Sequence, residues 1–418
     1  MRIVVDNSGY GLSNLGDISM LQAAVRRLTS IWPDAHVQVL TGNPERLKRF
    51  CPEAHPLVIP RLALWLRLRD SFRIFGNQLD AMPRLAREFL AHRSTRPTEE
   101  QELVLFGRSN WDGHIEAVHQ ADLVVATGGG YINDMFRTHA ASVMETLKVA
   151  QHAQVPTAIL SNGFDPIKHP ALVKKARTVL PAVNLIACRE GVTGPDVLRE
   201  LGVPEERIVV TGDDAVELAY NARTSQPGAN IAVNIRLAWY AGIDDAMIGT
   251  LRNAIRDATA RYQAELLPVP ISLADPSDVE GLRRFLRPLL PRSDGGNMID
   301  TPEKAIRRIG ECRIVIAGSY HAAVFALSQG VPVVALAKAA YYKRKFEGVS
   351  AQFPGGCIVT SMDDPHLYQS LTTAIDDLWA KAEALRPQLL AHARQQIELS
   401  WSAYQQLRAI VEGEPKLS

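Results

Sequence analysis

The chain has 418 residues, 46% of them hydrophobic and 22% charged, with a formal net charge of +1. That length is more than one hydrophobic core usually fills, so two domains of about 200 residues each are expected. The near-zero charge argues against a nucleic-acid binder, and no apolar run reaches the roughly 18 residues that span a bilayer.

The N-terminal unit reads as strand Ile3–Val5, a polar loop from Asp6 to Asp17, an amphipathic helix from Ile18 to Trp32, and strand Val37–Leu40. No leader pattern precedes the first strand, so a cytoplasmic location is expected. The loop carries glycines at 9, 11 and 16 but neither GxGxxG spacing nor a following GK[ST], which leaves a nucleotide P-loop unsupported. It sits at a strand end, where it either meets substrate or merely connects. Farther on, Arg61, Arg67, Arg69 and Arg73 alternate with Leu, Trp and Phe. That pattern suits a basic amphipathic helix on a membrane surface or an anionic acceptor, or an ordinary helix whose arginine stems cover apolar neighbours. The polar stretch Arg93–Gln101 reads as a loop.

Four successive strands then end in glycine or charge. Asp122–Ala126 runs into Gly128, Gly129 and Gly130, followed by Asn133 and Asp134. Thr157–Ser161 runs into Asn162-Gly163-Phe164-Asp165-Pro166. Leu185–Cys188 ends at Arg189-Glu190, and Ile208–Val210 at Gly212-Asp213-Asp214. Repetition of such endings is what one crevice edge requires. Two bland readings stand beside it: Arg189-Glu190 as an interdomain salt bridge, and Asp213-Asp214 as a helix cap followed by a solvated acid. The segment Asn221–Ala229 shifts to a linker composition.

The alternation restarts with Ile231–Ile235, which has Asn234 and Arg236 at its end. It continues through helix Ile248–Tyr262, strand Leu266–Ile271 and helices Val279–Leu286 and Thr301–Ile309. Strand Arg313–Ala317 turns at Gly318-Ser319 into an apolar helix opened by His321 and stopped by Gly330. A second apolar strand, Val331–Leu336, follows. Apolar strands on both sides of a helix describe a parallel sheet covered on two faces. Ser319, Tyr320 and His321 therefore fall where such sheets bind anions, at a strand end and helix N-terminus. Lys338, Lys343, Arg344 and Lys345 come after the next strand, on a solvated face or at the same crevice. Strand Cys357–Thr360 and helices Leu367–Leu385 and Pro387–Val411 complete the chain. The fold class is α/β: two doubly wound Rossmann-like domains facing a cleft, glycosyltransferase-B-like, closed by C-terminal helices. The boundaries are 1–223, 224–390, and 391–418 for a final helix crossing back to the first domain.

The four cysteines, Cys51, Cys188, Cys312 and Cys357, form no CxxC pair and are expected as buried thiols. His114 and His119 lie five apart, off the i, i+4 relation of a helical ligand pair, and no metal site is expected.

Several of these segments together resemble the polysaccharide pyruvyl transferase family. They are Asn14-Leu15-Gly16-Asp17, Gly128-Gly129-Gly130, Arg189-Glu190, Asn234-Ile235-Arg236, His321-Ala322 with Phe325-Ala326-Leu327, Gly330-Val331-Pro332-Val333, and Tyr342 with Lys345. The resemblance implies transfer of the enolpyruvyl unit of phosphoenolpyruvate to a hydroxyl of a saccharide or lipid-linked saccharide, with no other cofactor. It implies His321 and Asp17 as proton-handling residues. Arg236, Arg189, Ser319, Tyr320, Lys345 and Tyr342 fall on the donor side, and Asn14, Gly16, Gly129, Gly130 and Asn133 on the acceptor side. An electropositive pocket with one imidazole at its floor is expected.

Two departures bear on the donor. The family pattern Ser-Arg-Leu-His appears as Gly318-Ser319-Tyr320-His321, without its arginine, and Asp165 stands where a glycine is usual. A serine does not replace a guanidinium that grips carboxylate or phosphate through two parallel bonds. Arg236, Arg189 or Lys345 must take over, or the donor is different. The alternatives are a nucleotide-sugar glycosyltransferase and a non-catalytic glycan-binding relative.

Overall fold

The computed structural model describes residues 1–58, 112–236, 244–274 and 277–413. The expected Arg61–Arg73 helix and Arg93–Gln101 loop lie outside the described residues, and with them the reading of membrane contact.

The first sheet is built from β1 (Arg2–Asp6), β2 (His36–Thr41), β3 (His55–Val58), β4 (Leu123–Ala126), β5 (Gly129–Ile132), β6 (Thr157–Phe164), β7 (Leu185–Cys188) and β8 (Ile208–Val210). Its order is β3-β2-β1-β4-β6-β7-β8, with the short β5 also pairing β6. The second sheet contains β9 (Asn230–Asn234), β10 (Leu266–Pro268), β11 (Cys312–Ala317), β12 (Val333–Ala337) and β13 (Cys357–Ser361), in the order β10-β9-β11-β12-β13. Every pairing among the described strands is parallel. The two doubly wound sheets read from the sequence are present.

Each sheet has one place where strand order reverses, between β1 and β4 in the first and between β9 and β11 in the second. At a reversal the connections leave in opposite directions and open a crevice at the strand carboxyl ends. The strands beside both reversals are apolar on both faces: Ile3, Val4 and Val5 in β1 and Ile314 to Ala317 in β11 are wholly buried. The helix Tyr320–Ser328 is buried along its entire length, as expected for one that is apolar all round.

One core cluster runs from Ile3, Leu21 and Leu28 to Ala323, Phe325 and Val333, so the two sheets share buried apolar packing. The loop before helix Leu15–Ile31 adds backbone ties: Leu15 N–H donates to Ile271 at 2.8 Å, and Leu273 N–H to Ser13 at 2.7 Å. The C-terminal segment is a single helix, Leu367–Glu412, that passes through Pro387 instead of breaking there. Pro387 cannot donate to the preceding turn, yet Arg386 donates to the backbone of Gln329 and of Thr224 and clamps the helix at that point. Before Pro387 this helix bonds to the second-sheet side, with Asp376 accepting from Tyr262 and Glu383 from Arg313. After it, Ser400 and Tyr404 donate to Asp214, and Trp401 to Glu217. All four cysteines are buried and unpaired. Among the described residues, no helix is long and apolar enough to cross a membrane.

Candidate functional site

The two reversal points bring together the strand ends after β1, β4, β6, β7 and β8 with those after β11 and β12. His321 forms the floor. It starts the helix Tyr320–Ser328 and is 7% exposed. Its Nε2 lies 3.2 Å from Met20 Sδ and 3.6 Å from Asp213 Oδ2. Gly16, in the first turn of helix Leu15–Ile31, lets that helix press directly on the ring. A β-carbon there would stand 1.9 Å from His321 Cγ and 2.0 Å from Nδ1.

Arg189 is 2% exposed, and its guanidinium stacks 3.9 Å above the Tyr320 ring. Its Nη1 lies 3.7 Å from Asp213 Oδ2, near enough for charge attraction but beyond hydrogen-bond length. Its Nε is buried with no hydrogen-bond partner among the described residues. A β-carbon on Gly163 would lie 2.7 Å from this Nε. One on Gly130 would lie 2.7 Å from Arg189 Nη2 and 2.8 Å from Lys345 Nζ. The two cations thus converge on bare backbone that only glycine leaves open. Lys345 Nζ also sits 4.0 Å from the Tyr341 ring, whose hydroxyl donates to the Gly130 carbonyl at 3.1 Å. Burial, aided by the Arg189 charge, pushes the Lys345 ammonium down to about 7, with Asp165 and Asp17 pulling the other way. Shielding from water raises the Asp17 carboxyl, against the pull of His321, Arg189 and Lys345 and a hydrogen bond from Ser8.

Of the residues singled out in the sequence, His321, Asp17, Gly16, Gly129, Gly130, Arg189, Tyr320 and Lys345 meet here. Ser319 borders them, its hydroxyl donating to Asn234 Oδ1 at 2.7 Å. Four others already have partners within the protein. Arg236 donates to Asp278 at 2.8 Å, an acid that also accepts from the backbone of Ile271 and Ser272. Asn14 caps its own helix by accepting from Gly16 and Asp17 N–H. Asn133 bonds within its own turn, to Gly130, Met135 and Phe136. Tyr342 packs against the apolar core while its neighbour Tyr341 faces the cluster.

Other expectations need correction. Asp213 and Asp214 are both buried, not solvated: Asp214 accepts from Arg27, Ser400 and Tyr404. Among the described residues Glu190 makes no interdomain salt bridge; it accepts from the N–H groups of Val192, Thr193 and Gly194 at the next helix start. Arg344 is partly exposed, as on a solvated face, but its Nε also donates to Asp165 Oδ1 at 2.8 Å. That pairing gives a physical reason for an acid at position 165. The cluster is not uniformly electropositive either. Asp17 and Asp213 stand against Arg189 and Lys345, so the site is close to charge-balanced before a ligand arrives. Asp213 and Tyr341 were missed as site residues. The strand-end position of Asp213 was visible, and Tyr341 stands one residue before the Tyr342 that the family pattern singled out.

Among the described residues, no group of three His, Cys, Asp or Glu could hold a metal ion. A separate groove of about 400 Å³ beyond β13, bordered by Asp244, Met247, Asp363 and His366, shares no residue with the cluster.

The family model for polysaccharide pyruvyl transferases matches residues 14–338, which contain every residue of this cluster except Tyr341 and Lys345. The chain belongs to that family. No curated protein matches it. Solved structures match over nearly the whole length. A provisionally assigned UDP-N-acetylglucosamine 2-epimerase from Listeria monocytogenes has a TM-score of 0.60 at 15% identity, covering 100% of this chain and 99% of its own. The S. aureus MnaA–UDP co-structure has a TM-score of 0.58 at 15% identity, with 99% of each chain covered. Anabaena Alr3699/HepE with UDP-glucose has a TM-score of 0.55 at 13% identity, covering 99% of this chain and 100% of its own. At such identities the likeness shows the fold, which is glycosyltransferase-B-like.

Proposed function

We propose that this member of the polysaccharide pyruvyl transferase family moves a pyruvyl group from phosphoenolpyruvate onto hydroxyls of a saccharide. The observation that carries the reading is the convergence of Arg189 and Lys345 on the open backbone of Gly130. Family membership supports a transferase of polysaccharide biosynthesis; the donor and the residue roles are proposed here.

Phosphoenolpyruvate offers a phosphate and a carboxylate. Arg189 supplies the planar two-bond grip that Ser319 lacks, and Lys345 supplies a compact charge beside it. His321 gives a proton to the methylene carbon as an acceptor oxygen bonds to the adjacent carbon. The hydroxyl proton passes to Asp17, whose raised carboxyl suits a base better than an ordinary aspartate. A second hydroxyl of the same saccharide then displaces phosphate and returns its proton to His321, the Asp17 proton leaves with the phosphate, whose departing charge Arg189 and Lys345 offset, and a ketal remains.

A nucleotide-sugar donor is the second reading, favoured by the UDP and UDP-glucose named for the neighbours of like fold. Thermal denaturation separates the two. Phosphoenolpyruvate at about 100 times its Kd stabilises the protein by about 2.7 kcal/mol, while UDP and GDP leave it unchanged. Stabilisation by UDP alone overturns the proposal.

A further inference from the structure

Asp213 has a feature the proposed transfer does not use. Its Oδ1 accepts from Ala215 N–H at 2.9 Å, whereas Oδ2 is buried with no hydrogen-bond partner among the described residues. A buried carboxylate oxygen left without a partner is costly, and proteins keep one mainly where a donor comes and goes. Two donors stand just out of reach: His321 Nε2 at 3.6 Å and Arg189 Nη1 at 3.7 Å.

We infer that Asp213 is a positioning residue that accepts the His321 Nε2 proton and so fixes Nδ1 as the nitrogen that exchanges protons with substrate. The inference rests on the proposed role of His321. Neutral imidazole carries one N–H, and the partner of one nitrogen decides the state of the other. Met20 Sδ also faces Nε2, but a thioether is a weak acceptor and does not select a tautomer as a carboxylate does. Nδ1 lies beside Gly16, where a side chain would collide with it: a β-carbon there would stand 2.0 Å away.

The charged and titratable groups around the ring are Asp213 after β8, Asp17 on helix Leu15–Ile31, Arg189 after β7 and Tyr320 on its own helix. Arg189 is also the proposed donor-binding cation. An anion drawing Arg189 toward itself frees Oδ2 from the competing charge and leaves it to the imidazole. Donor binding thereby sharpens the orientation of His321.

The rigidity of Asp213 has its own origin. The next residue, Asp214, is locked by Arg27 at 2.6 Å, Ser400 at 2.6 Å and Tyr404 at 2.8 Å. The C-terminal helix therefore holds the turn that aims Asp213.

The test is ¹⁵N NMR of the His321 ring in the free protein, wild type against Asp213→Asn, with circular dichroism and Tm as folding controls. Asn keeps the Oδ1 acceptor and the side-chain size. The wild type should keep its Nε2 proton in both the neutral ring and the imidazolium that gives its Nδ1 proton to the methylene carbon, and inorganic phosphate should strengthen that hold. Asp213→Asn should mix or reverse the tautomers, and Asp213→Glu should restore part of the wild-type pattern. In turnover with phosphoenolpyruvate, Asp213→Asn should lower kcat about 100-fold or more with KM within about threefold, as loss of the orienting carboxylate does in other imidazole-acid pairs. An unchanged ring spectrum in folded Asp213→Asn overturns the inference whatever the donor is. Absence of phosphoenolpyruvate turnover with the tautomer shift present overturns the proposed reaction and leaves the Asp213–His321 coupling standing.

Discussion

Gly16→Ala is a change that helix propensity alone would favour. Alanine is about 1 kcal/mol better than glycine inside a helix, and Gly16 lies within helix Leu15–Ile31. The site geometry reverses the sign. The added carbon would sit 1.9 Å from His321 Cγ, so the ring must retreat by about 1.5 Å to reach ordinary contact at 3.4 Å. His321 is enclosed by Met20, Asp213, Tyr320 and Phe325, which leaves little room to move. Overpacking of this kind costs about 1–3 kcal/mol and outweighs the propensity gain. A displacement near 1 Å at a reacting group costs about 100-fold in rate. Expected, then, are a lower urea midpoint and a kcat for pyruvyl transfer reduced about 100-fold or more. Gly249→Ala is the control. That helical glycine has nothing within 4 Å of its would-be β-carbon, so alanine should stabilise the protein by about 0.5–1 kcal/mol without touching turnover. If Gly16→Ala behaves like Gly249→Ala, the contact between helix Leu15–Ile31 and His321 is not what positions the imidazole.

Other expectations follow from the same geometry. Lys345 has a folded value near 7, below its unfolded one, so its charge destabilises the fold fully below pH 7 and the cost fades as pH rises toward the usual lysine range. Lys345→Met should raise Tm at pH 6 and have a smaller effect at pH 9, while abolishing phosphoenolpyruvate binding; equal shifts at both pH values would contradict this. Wild-type affinity for phosphoenolpyruvate should weaken above pH 7, by up to about tenfold per pH unit, because the binding form of Lys345 is the charged one. Asp214→Ala leaves Arg27 buried with Glu217 as its remaining acid, and should cost about 3–5 kcal/mol in urea unfolding. Arg344→Gln breaks a pair in which the arginine is 37% exposed and should cost about 1 kcal/mol or less, measured the same way.

The strand–helix rhythm was legible because parallel sheets covered on both faces force continuous apolar strands, and β1, β4, β11 and β12 all carry that mark. Strand ends were legible for the same reason, since glycine and charge interrupt apolar runs sharply. Long-range pairing was not. Arg236 looked like a donor-binding cation because Asp278, its partner, lies 42 positions away. The Arg344 pairing was hidden because Asp165 lies 179 positions away. Asn14 was singled out as a family landmark, and the structure adds that it caps its own helix. Pro387 broke the sequence pattern but not the helix, because packing and the Arg386 clamp outweigh one lost backbone bond. Charge balance at the cluster was hidden too, for Asp213 shows its burial only when β8 is set beside β7 and His321.

The most direct measurement is a crystal structure of the protein soaked with phosphoenolpyruvate. The account predicts the donor's phosphate and carboxylate within hydrogen-bond distance of Arg189 and Lys345, over Gly130, with its methylene carbon toward His321. Phosphoenolpyruvate seated in the groove at Asp244 and His366, or a cluster that takes up UDP and no phosphoenolpyruvate, would contradict it.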